Sequence, residues 1–267
     1  MKDIKQITEQ LEQGVKDVFT SDKYIEFLRF MSSFTSYSSN NTMLIYMQKP
    51  DASLIAGYKA WQKKGRQVRK GEKGITILAP CPHKKEVETA DGETEIISWT
   101  TFRAVSVFDV SQTDGADLPE SPCKMLTGEV ENFTELQQKL EEISPVPVKY
   151  EQITDGANGY YSHTEQIIAI QDGMSQQQTI KTLIHEISHA ILHNKDTGAE
   201  KEADRHTKEV QAESTAYCVC SMLGLDTSDY SFGYIAGWSS GKEAKELSES
   251  MEVIRTTAKD IADKLAA

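Results

Sequence analysis

Apolar residues recur at helical spacing from the start of the chain. Ile4, Ile7, Leu11, Val15 and Val18 share one face of a first segment, and Tyr24, Phe27, Leu28 and Met31 share one face of a second, which Ser21 is placed to cap. "SYSSNN" reads as a break, and "TMLIYMQ" as a short helix stopped by Pro50. "ASLIAGYKAWQKKG" reads as a further helix with Gly65 as its C-terminal signal. The pattern then changes. "GITILAP" and "TTFRAVSVFDV" are rich in β-branched and aromatic residues and predict strands, and Asp91-Gly92 between them is a hairpin turn signal. "SQTDGADLPESP" is polar and turn-rich, which puts a domain boundary near residue 120.

Beyond that boundary "NFTELQQKLEEIS" predicts a helix, and "VPVKYEQI" and "EQIIAI" predict short strands around "TDGANGYYSHT", a loop or third strand. Three long helices follow: residues 176–193, a second ending near Gly224, and a third over "GKEAKELSESMEVIRTTAKDIADKLAA". The expected class is α+β in two domains. Residues 1–120 form a helical domain with an antiparallel sheet, and residues 121–267 a second domain whose last helix acts as a cap.

Composition narrows the function. Of 267 residues 38% are hydrophobic and 26% charged, which is a globular balance, and the net charge of −12 argues against nucleic-acid binding by the chain as a whole. No apolar run has the length of a membrane span, and "MKDIKQITEQLEQ" lacks the apolar core of a signal peptide, so a cytoplasmic protein without membrane contact is expected. Cys81, Cys123, Cys218 and Cys220 form no C-x-x-C pair, and buried free thiols are expected rather than a thiolate metal site.

The segment "TLIHEISHAILH" supplies candidate chemistry. Ile180, Leu183, Ile184, Ile187, Ala190 and Ile191 give it the stripe of a half-buried helix. His185 and His189 are then about 40° apart in projection and ~6 Å apart along the axis, within reach of one metal ion. Glu186 is turned about 100° from His185, badly placed as a ligand but well placed to take a proton from a metal-activated water. The bland alternative is a helix with two solvated histidines. A catalytic Zn²⁺ needs a third protein ligand. Glu209 and Glu213 are one turn apart on the next helix, and either can serve, the other then belonging to a solvated acidic face. His193 continues the histidine face and reads as a solvated helix end, the alternative being a fourth polar neighbour of the pair. Tyr160, Tyr161 and His163 lie near the expected strands, more plausibly packed on the sheet than in a cleft.

The spacing from His189 to Glu209 resembles the H-E-x-x-H-x₁₉-E pattern of thermolysin-like peptidases. That resemblance implies Glu209 as ligand and Glu213 as the residue orienting a ligand histidine, with the reverse assignment open. "HEISH" followed by "EVQAESTA" also resembles the ImmA/IrrE-type metallopeptidases over about residues 126–225, with Glu213 where that family often has asparagine. A zincin-like metallopeptidase fold acting on a protein or peptide is what this implies for the second domain.

One stretch runs against the acidic average. "KAWQKKGRQVRKGEKG" holds Lys59, Lys63, Lys64, Arg66, Arg69, Lys70 and Lys73 against Glu72 alone, with Trp61 among them and Gly65, Gly71 and Gly74 spaced through it. Cations pair with phosphates, aromatic faces stack unpaired bases, and glycines allow close backbone approach. The stretch therefore suggests a single-stranded nucleic-acid surface. The alternative is a solvated helix end with Trp61 in the core. Asn40, Asn41, Gln48, Trp61, Gly65, Lys70, Gly71, Lys73 and Gly74, followed by "VFDVSQT", resemble the N-terminal domain of ArdC-type antirestriction proteins over about residues 1–120. The resemblance implies single-stranded DNA binding, with Asn40, Asn41, Gln48, Trp61, Lys70 and Lys73 among its matching positions, and the basic segment adds Lys63, Lys64, Arg66 and Arg69 as candidate contacts. It also implies an antirestriction role in a mobile element or its bacterial host. A regulatory protease that cleaves a repressor, or a non-catalytic DNA-binding protein with a structural metal, are the competing expectations.

Overall fold

The computed structural model describes residues 4–88, 94–118, 133–154, 156–194, 203–225, 227, 230 and 232–267. Along the chain these form helices α1 (Ile4–Val18), α2 (Ser21–Ser33) and α3 (Ser39–Gln48), strand β1 (Ile55–Gly57), helix α4 (Tyr58–Lys63), and strands β2 (Arg66–Val68), β3 (Ile75–Glu88), β4 (Thr94–Asp109) and β5 (Thr113–Gly115). There follow α5 (Phe133–Ile143), β6 (Val148–Glu151), β7 (Gly159–Ser162), β8 (Ile167–Gln171), α6 (Gln176–Leu192), α7 (Arg205–Met222), α8 (Ile235–Ser239) and α9 (Ala244–Ala266). The class is mixed helix and sheet in two compact units, Met1–Gly14 with Asn40–Pro119, and Val15–Ser39 with Glu120–Ala267. The division is discontinuous, because α2 belongs with the C-terminal elements. Asp91-Gly92 and Cys123 lie outside the described residues, and so do residues 119–122 of the expected boundary.

In the first unit β1, β4 and β3 form an antiparallel sheet in that order, and β2 pairs with β5. The single helix expected over residues 52–65 is instead a strand followed by a helix. Ile55–Gly57 pair with Val107–Asp109, and Gly57 is extended (φ −70°, ψ 156°), so the helix opens only at Tyr58. Tertiary pairing overrides the local helical pattern here. Gly65 does end the helix as expected, at φ 72° with its N–H bonded to the Gln62 carbonyl at 3.0 Å.

Several residues of the basic segment and its flanks are spent on this architecture. Asn41 and Gln48 of α3 each bond a residue of the edge strand β3 from both ends of the carboxamide. Asn41 donates to Leu78 O and accepts from Leu78 N, both at 2.9 Å, and Gln48 does the same with Thr76, both at 2.9 Å. They substitute for a neighbouring strand, which an edge otherwise lacks. Trp61 is fully buried, and its indole N–H donates to Phe108 O at 2.9 Å. In "VFDVSQT" the buried Asp109 accepts from the N–H groups of Ser53 (2.8 Å), Leu54 (3.1 Å) and Ser111 (2.9 Å), while Gln112 Oε1 accepts from Asp109 N at 2.9 Å. Burial raises the Asp109 carboxyl pKa, and these donors outweigh it to leave the group below its ordinary range.

In the second unit β8 is central, parallel to β6 and antiparallel to β7, so β7 is an edge strand. The apolar stripe of α6 is buried as its period predicts: Ile180, Leu183, Ile184, Ile187 and Ala190 are all buried. Ser175 caps α6 by accepting from Gln178 N, and Asp204 caps α7 by accepting from Thr207 N at 2.8 Å. Helix α7 is enclosed by α6, α2 and α9. Every residue from Ser214 to Cys220 is buried, Cys218 and Cys220 among them. The buried hydroxyl pair Tyr24–Ser214, 2.8 Å apart, ties α2 to α7. Helix α9, expected as a cap, is a core element that buries Leu247, Met251, Ile254 and Ile261. No helix among the described residues is long and apolar enough to cross a membrane.

Replacing Gln48 by Leu strips the carboxamide from both polar groups of Thr76 in a part-buried setting. The expected cost is about 2 kcal/mol, from the desolvation of two backbone groups left without it. A fall in the urea unfolding midpoint of the full chain, against wild type, measures it.

Candidate metal centre

Helix α6 presents His185 and His189 on one face, and α7 presents Glu209 and Glu213 one turn apart towards them. The Nε2 atoms of His185 and His189 are 3.1 Å apart. Glu209 Oε2 lies 3.8 Å from the first and 3.5 Å from the second. A point equidistant from the corners of a triangle with these sides is about 2.0 Å from each, the length of a zinc–imidazole or zinc–carboxylate bond. Two imidazole nitrogens and one carboxylate oxygen thus have the spacing and donor chemistry to hold a divalent ion. Glu213 sits on the other side of His185, its Oε2 3.0 Å from Nδ1. Of the two glutamates, Glu209 is the one brought against both Nε2 atoms. Glu213 is the carboxylate at ion-pair distance from the other ring nitrogen of His185.

Burial lowers the pKa of His185, but the bond to Glu213 and the charges of Glu186, Glu213 and Glu209 outweigh it, so the net shift is upward. A proton and a cation therefore compete for this ring. The hydrogen bond with His189 lowers the Glu209 carboxyl pKa despite its partial burial. Glu186 is buried, and burial raises its pKa against the opposing effect of His185 and His189 and a hydrogen bond from the Tyr161 backbone. A carboxylate raised towards neutrality is suited to accept a proton.

His193 corrects the expectation of a solvated helix end, being only 3% exposed. Its Nδ1 lies 3.0 Å from His189 Nδ1, its Nε2 lies 3.2 Å from Gln211 Oε1, and Gln211 donates onward to Ser250 Oγ at 3.2 Å. An amide oxygen only accepts, so His193 carries its proton on Nε2 and offers the Nδ1 lone pair to His189. His189 then keeps its own proton on Nδ1 and directs its Nε2 lone pair at the cluster. Burial pushes the His193 pKa down to about 4, so the ring is neutral, as this relay needs. The i+4 spacing from His189 was the visible signal for His193. Gln211 and Ser250 left none, because α9 is remote in sequence.

The cluster lies between two open cavities. One, of about 310 Å³, is lined by Asn158, Gln178, Lys181, Thr182, Glu213 and Tyr230 as well as His185 and Glu186. The other, of about 580 Å³, is lined by Tyr160, Tyr161, His163, Arg205, Lys208 and Glu209 with His185, Glu186 and His189. Both run past the edge strand β7. A Cβ on Gly159 would meet Thr182 Cγ2 at 2.7 Å and Ala169 O at 3.0 Å, so the glycine is what lets this strand lie against α6. Tyr160 lines the cavity but its hydroxyl donates to Glu151 at 2.9 Å, while the Tyr161 hydroxyl accepts from Gln166 at 3.1 Å.

The proposed DNA-contacting residues divide sharply. Lys63, Lys64, Lys70, Lys73 and Asn40 are exposed. Arg69 is exposed but engaged, 2.8 Å from Glu72 and donating to Ser111 O at 2.6 Å. Arg66 is half-buried and donates to the Thr113 side chain (2.8 Å) and carbonyl (3.0 Å). Asn41, Gln48 and Trp61 are consumed by the fold, and no base can stack on Trp61 where it stands.

The fold and this cluster define a two-unit α+β chain whose second unit has a His/His/Glu metal-type site on adjacent helices. Comparison with known proteins makes the class specific. Residues 3–108 match the N-terminal domain of anti-restriction factor ArdC, and residues 142–226 match the IrrE N-terminal-like domain of the M78 peptidases. The two matches stand in that order along the chain, an ArdC-type N-terminal domain followed by an IrrE-like one. An uncharacterized protein of Bacillus anthracis is 27% identical over 96% of this chain and 50% of its own length, so the chain spans about half of that curated relative. The metal-free crystal structure of the antirestriction ArdC protein from the R388 plasmid aligns with a TM-score of 0.57 at 23% identity, over 86% of this chain and 84% of that one. Its Mn(II)-bound structure aligns with a TM-score of 0.51 at 22% identity over the same shares. These likenesses establish the shared fold.

Replacing His193 by Phe fills the same space without a ring acceptor for His189. Divalent-metal affinity is expected to fall about 10- to 100-fold, as for loss of other outer hydrogen bonds to ligand histidines. Competition against a chromogenic chelator measures the affinity, and a thermal melt checks that the fold is kept.

Proposed function

We propose that this chain is a single-stranded DNA-binding metalloprotein of a mobile element or bacterial host, with a zinc-peptidase-type site and an antirestriction role. The observation that carries the peptidase reading is the triangle of His185 Nε2, His189 Nε2 and Glu209 Oε2 beside the buried Glu186. In this reading residues 121–267, with α2 packed behind α7, form the metallopeptidase domain, and residues 1–120 supply DNA binding.

His185, His189 and Glu209 would hold the ion. The nitrogen-rich set with one carboxylate suits Zn²⁺, and the related R388 protein has been crystallised with Mn(II). When bound, a divalent ion there supplies Lewis acidity, polarising a carbonyl and lowering the pKa of water. Glu186 takes the proton from the attacking water and returns it to the leaving amine. Glu213 and His193 hold the two imidazoles in the tautomers that direct Nε2 inwards. Cavities on both sides of the cluster favour a catalytic over a structural site, because structural sites are closed. The edge of β7 gives an extended peptide a strand to lie beside.

For DNA, the exposed Lys63, Lys64, Lys70 and Lys73 are the groups free to meet phosphates. They work against a net charge of −12, so binding depends on a local field within a Debye length. The antirestriction role is supported by the match of residues 3–108 to the ArdC N-terminal domain and by no single residue.

Glu186→Gln is expected to abolish metal-dependent cleavage of host proteins, assayed with and without single-stranded DNA, while metal content by mass spectrometry stays at wild type. Cleavage that survives in this variant would overturn the peptidase assignment. Binding of single-stranded DNA should weaken as salt rises, and Lys70→Ala with Lys73→Ala should lower the slope of log K against log salt by about 1.4. A slope equal to wild type would remove these two lysines from the phosphate contacts.

A further inference from the structure

Beyond its buried base, the β3–β4 hairpin exposes rings and cations that the fold does not use. Ile75, Ile77 and Val107 are buried at the base. Further out the register sets His83 opposite Trp99, Lys85 opposite Ile97 and Ala79 opposite Arg103, all on one face. The His83 and Trp99 rings stack at 5.3 Å with 16° between planes, and His83 Nε2 lies 2.7 Å from Thr101 Oγ1. Trp99 is 46% exposed, and Phe102, on the other face, is 53% exposed. Lys84, Lys85 and Arg103 make no ion pair among the described residues.

Large exposed rings mark an interaction surface, and three features of this one favour single-stranded nucleic acid over a protein strand. First, an open edge normally invites strand addition, but here Pro80 and Pro82 block it. Thr76 and Leu78 turn their N–H groups outward to α3, and Pro80 and Pro82 continue that alternate set with no N–H to offer. Second, Lys84, Lys85 and Arg103 stand beside the rings, short of the acidic run Glu86, Glu88, Asp91, Glu93 and Glu95, and rings beside cations are the combination that stacks bases while tracking a phosphate backbone. Third, the ring of the basic segment, Trp61, is buried, so stacking must come from elsewhere.

We infer that this hairpin is the base-stacking arm for single-stranded DNA. Bases stack on the Trp99–His83 platform and on Phe102, and Lys84, Lys85 and Arg103 meet the phosphates. This rests on the reading that the first unit binds single-stranded DNA, and it replaces Trp61 as the source of stacking.

The chain contains three tryptophans, and Trp61 and Trp238 are buried at 0% and 5% exposure, so tryptophan emission on binding reports mainly on Trp99. Fluorescein-labelled oligothymidylate is titrated with the full chain, reading affinity by anisotropy, and unlabelled oligothymidylate is titrated in while reading tryptophan emission. Wild type is expected to bind with quenched emission. Trp99→Ala should lose roughly 10-fold or more in affinity, the scale of one base–aromatic stack. Trp99→Phe should keep most of the affinity and lose the quenching. Arg103→Ala should lower the salt slope by about 0.7. Wild-type affinity in both Trp99→Ala and Phe102→Ala, with unquenched wild-type emission, would overturn the arm alone and leave DNA binding to the basic segment. Failure of the wild type to bind oligothymidylate would overturn the arm and the DNA-binding reading together.

Discussion

Two imidazole nitrogens that face each other at 3.1 Å are unfavourable unless a proton or a cation lies between them. The second unit is organised around holding that arrangement. Glu213 Oε2 lies 3.0 Å from His185 Nδ1 on the far side of that ring, and the His193–Gln211–Ser250 chain holds His189 at its Nδ1. That hold is only as good as the helices bearing it. Helix α7 is enclosed by α6, α2 and α9, and the residues that anchor it are as remote as Tyr24 and Ser250. A cluster whose residues span two helices gains its precision from that enclosure.

The same logic explains the motif residues of the first unit. Asn41, Gln48, Trp61, Asp109 and Gln112 carry much of the resemblance to the ArdC N-terminal domain, and each is tied to backbone. Their side chains complete an edge strand, anchor α4 to β4 and close the turn after β4. They define the fold. The groups left to meet a ligand are the exposed lysines and the projecting hairpin, whose residues form no motif that stands out in the sequence.

Helix α2 joins these two accounts. It lies within the segment that matches the ArdC N-terminal domain, yet it packs against α7 in the unit that holds the metal-type site. A variant that weakens α2 therefore acts on the support of Glu209 and Glu213.

Much was legible from the sequence alone. The 3.6-residue stripe of α6 placed His185 and His189 on one face and Glu186 off it, because helical geometry is local. The strand character of β3 and β4 and the glycine stop at Gly65 were readable for the same reason. Tertiary structure decided the rest. Whether Glu209 or Glu213 faces the two Nε2 atoms depends on how α7 is rotated against α6, which spacing along one chain does not contain. Ile55–Gly57 became a strand because β4 offered a partner, and His193 became buried because Gln211 of α7 and Ser250 of α9 closed over it. Trp61 and Trp99 show the limit most simply. An aromatic among lysines reads equally as a stacking ring or as core and is core, while one in an ordinary strand stands exposed, because burial is set by packing between elements distant in sequence.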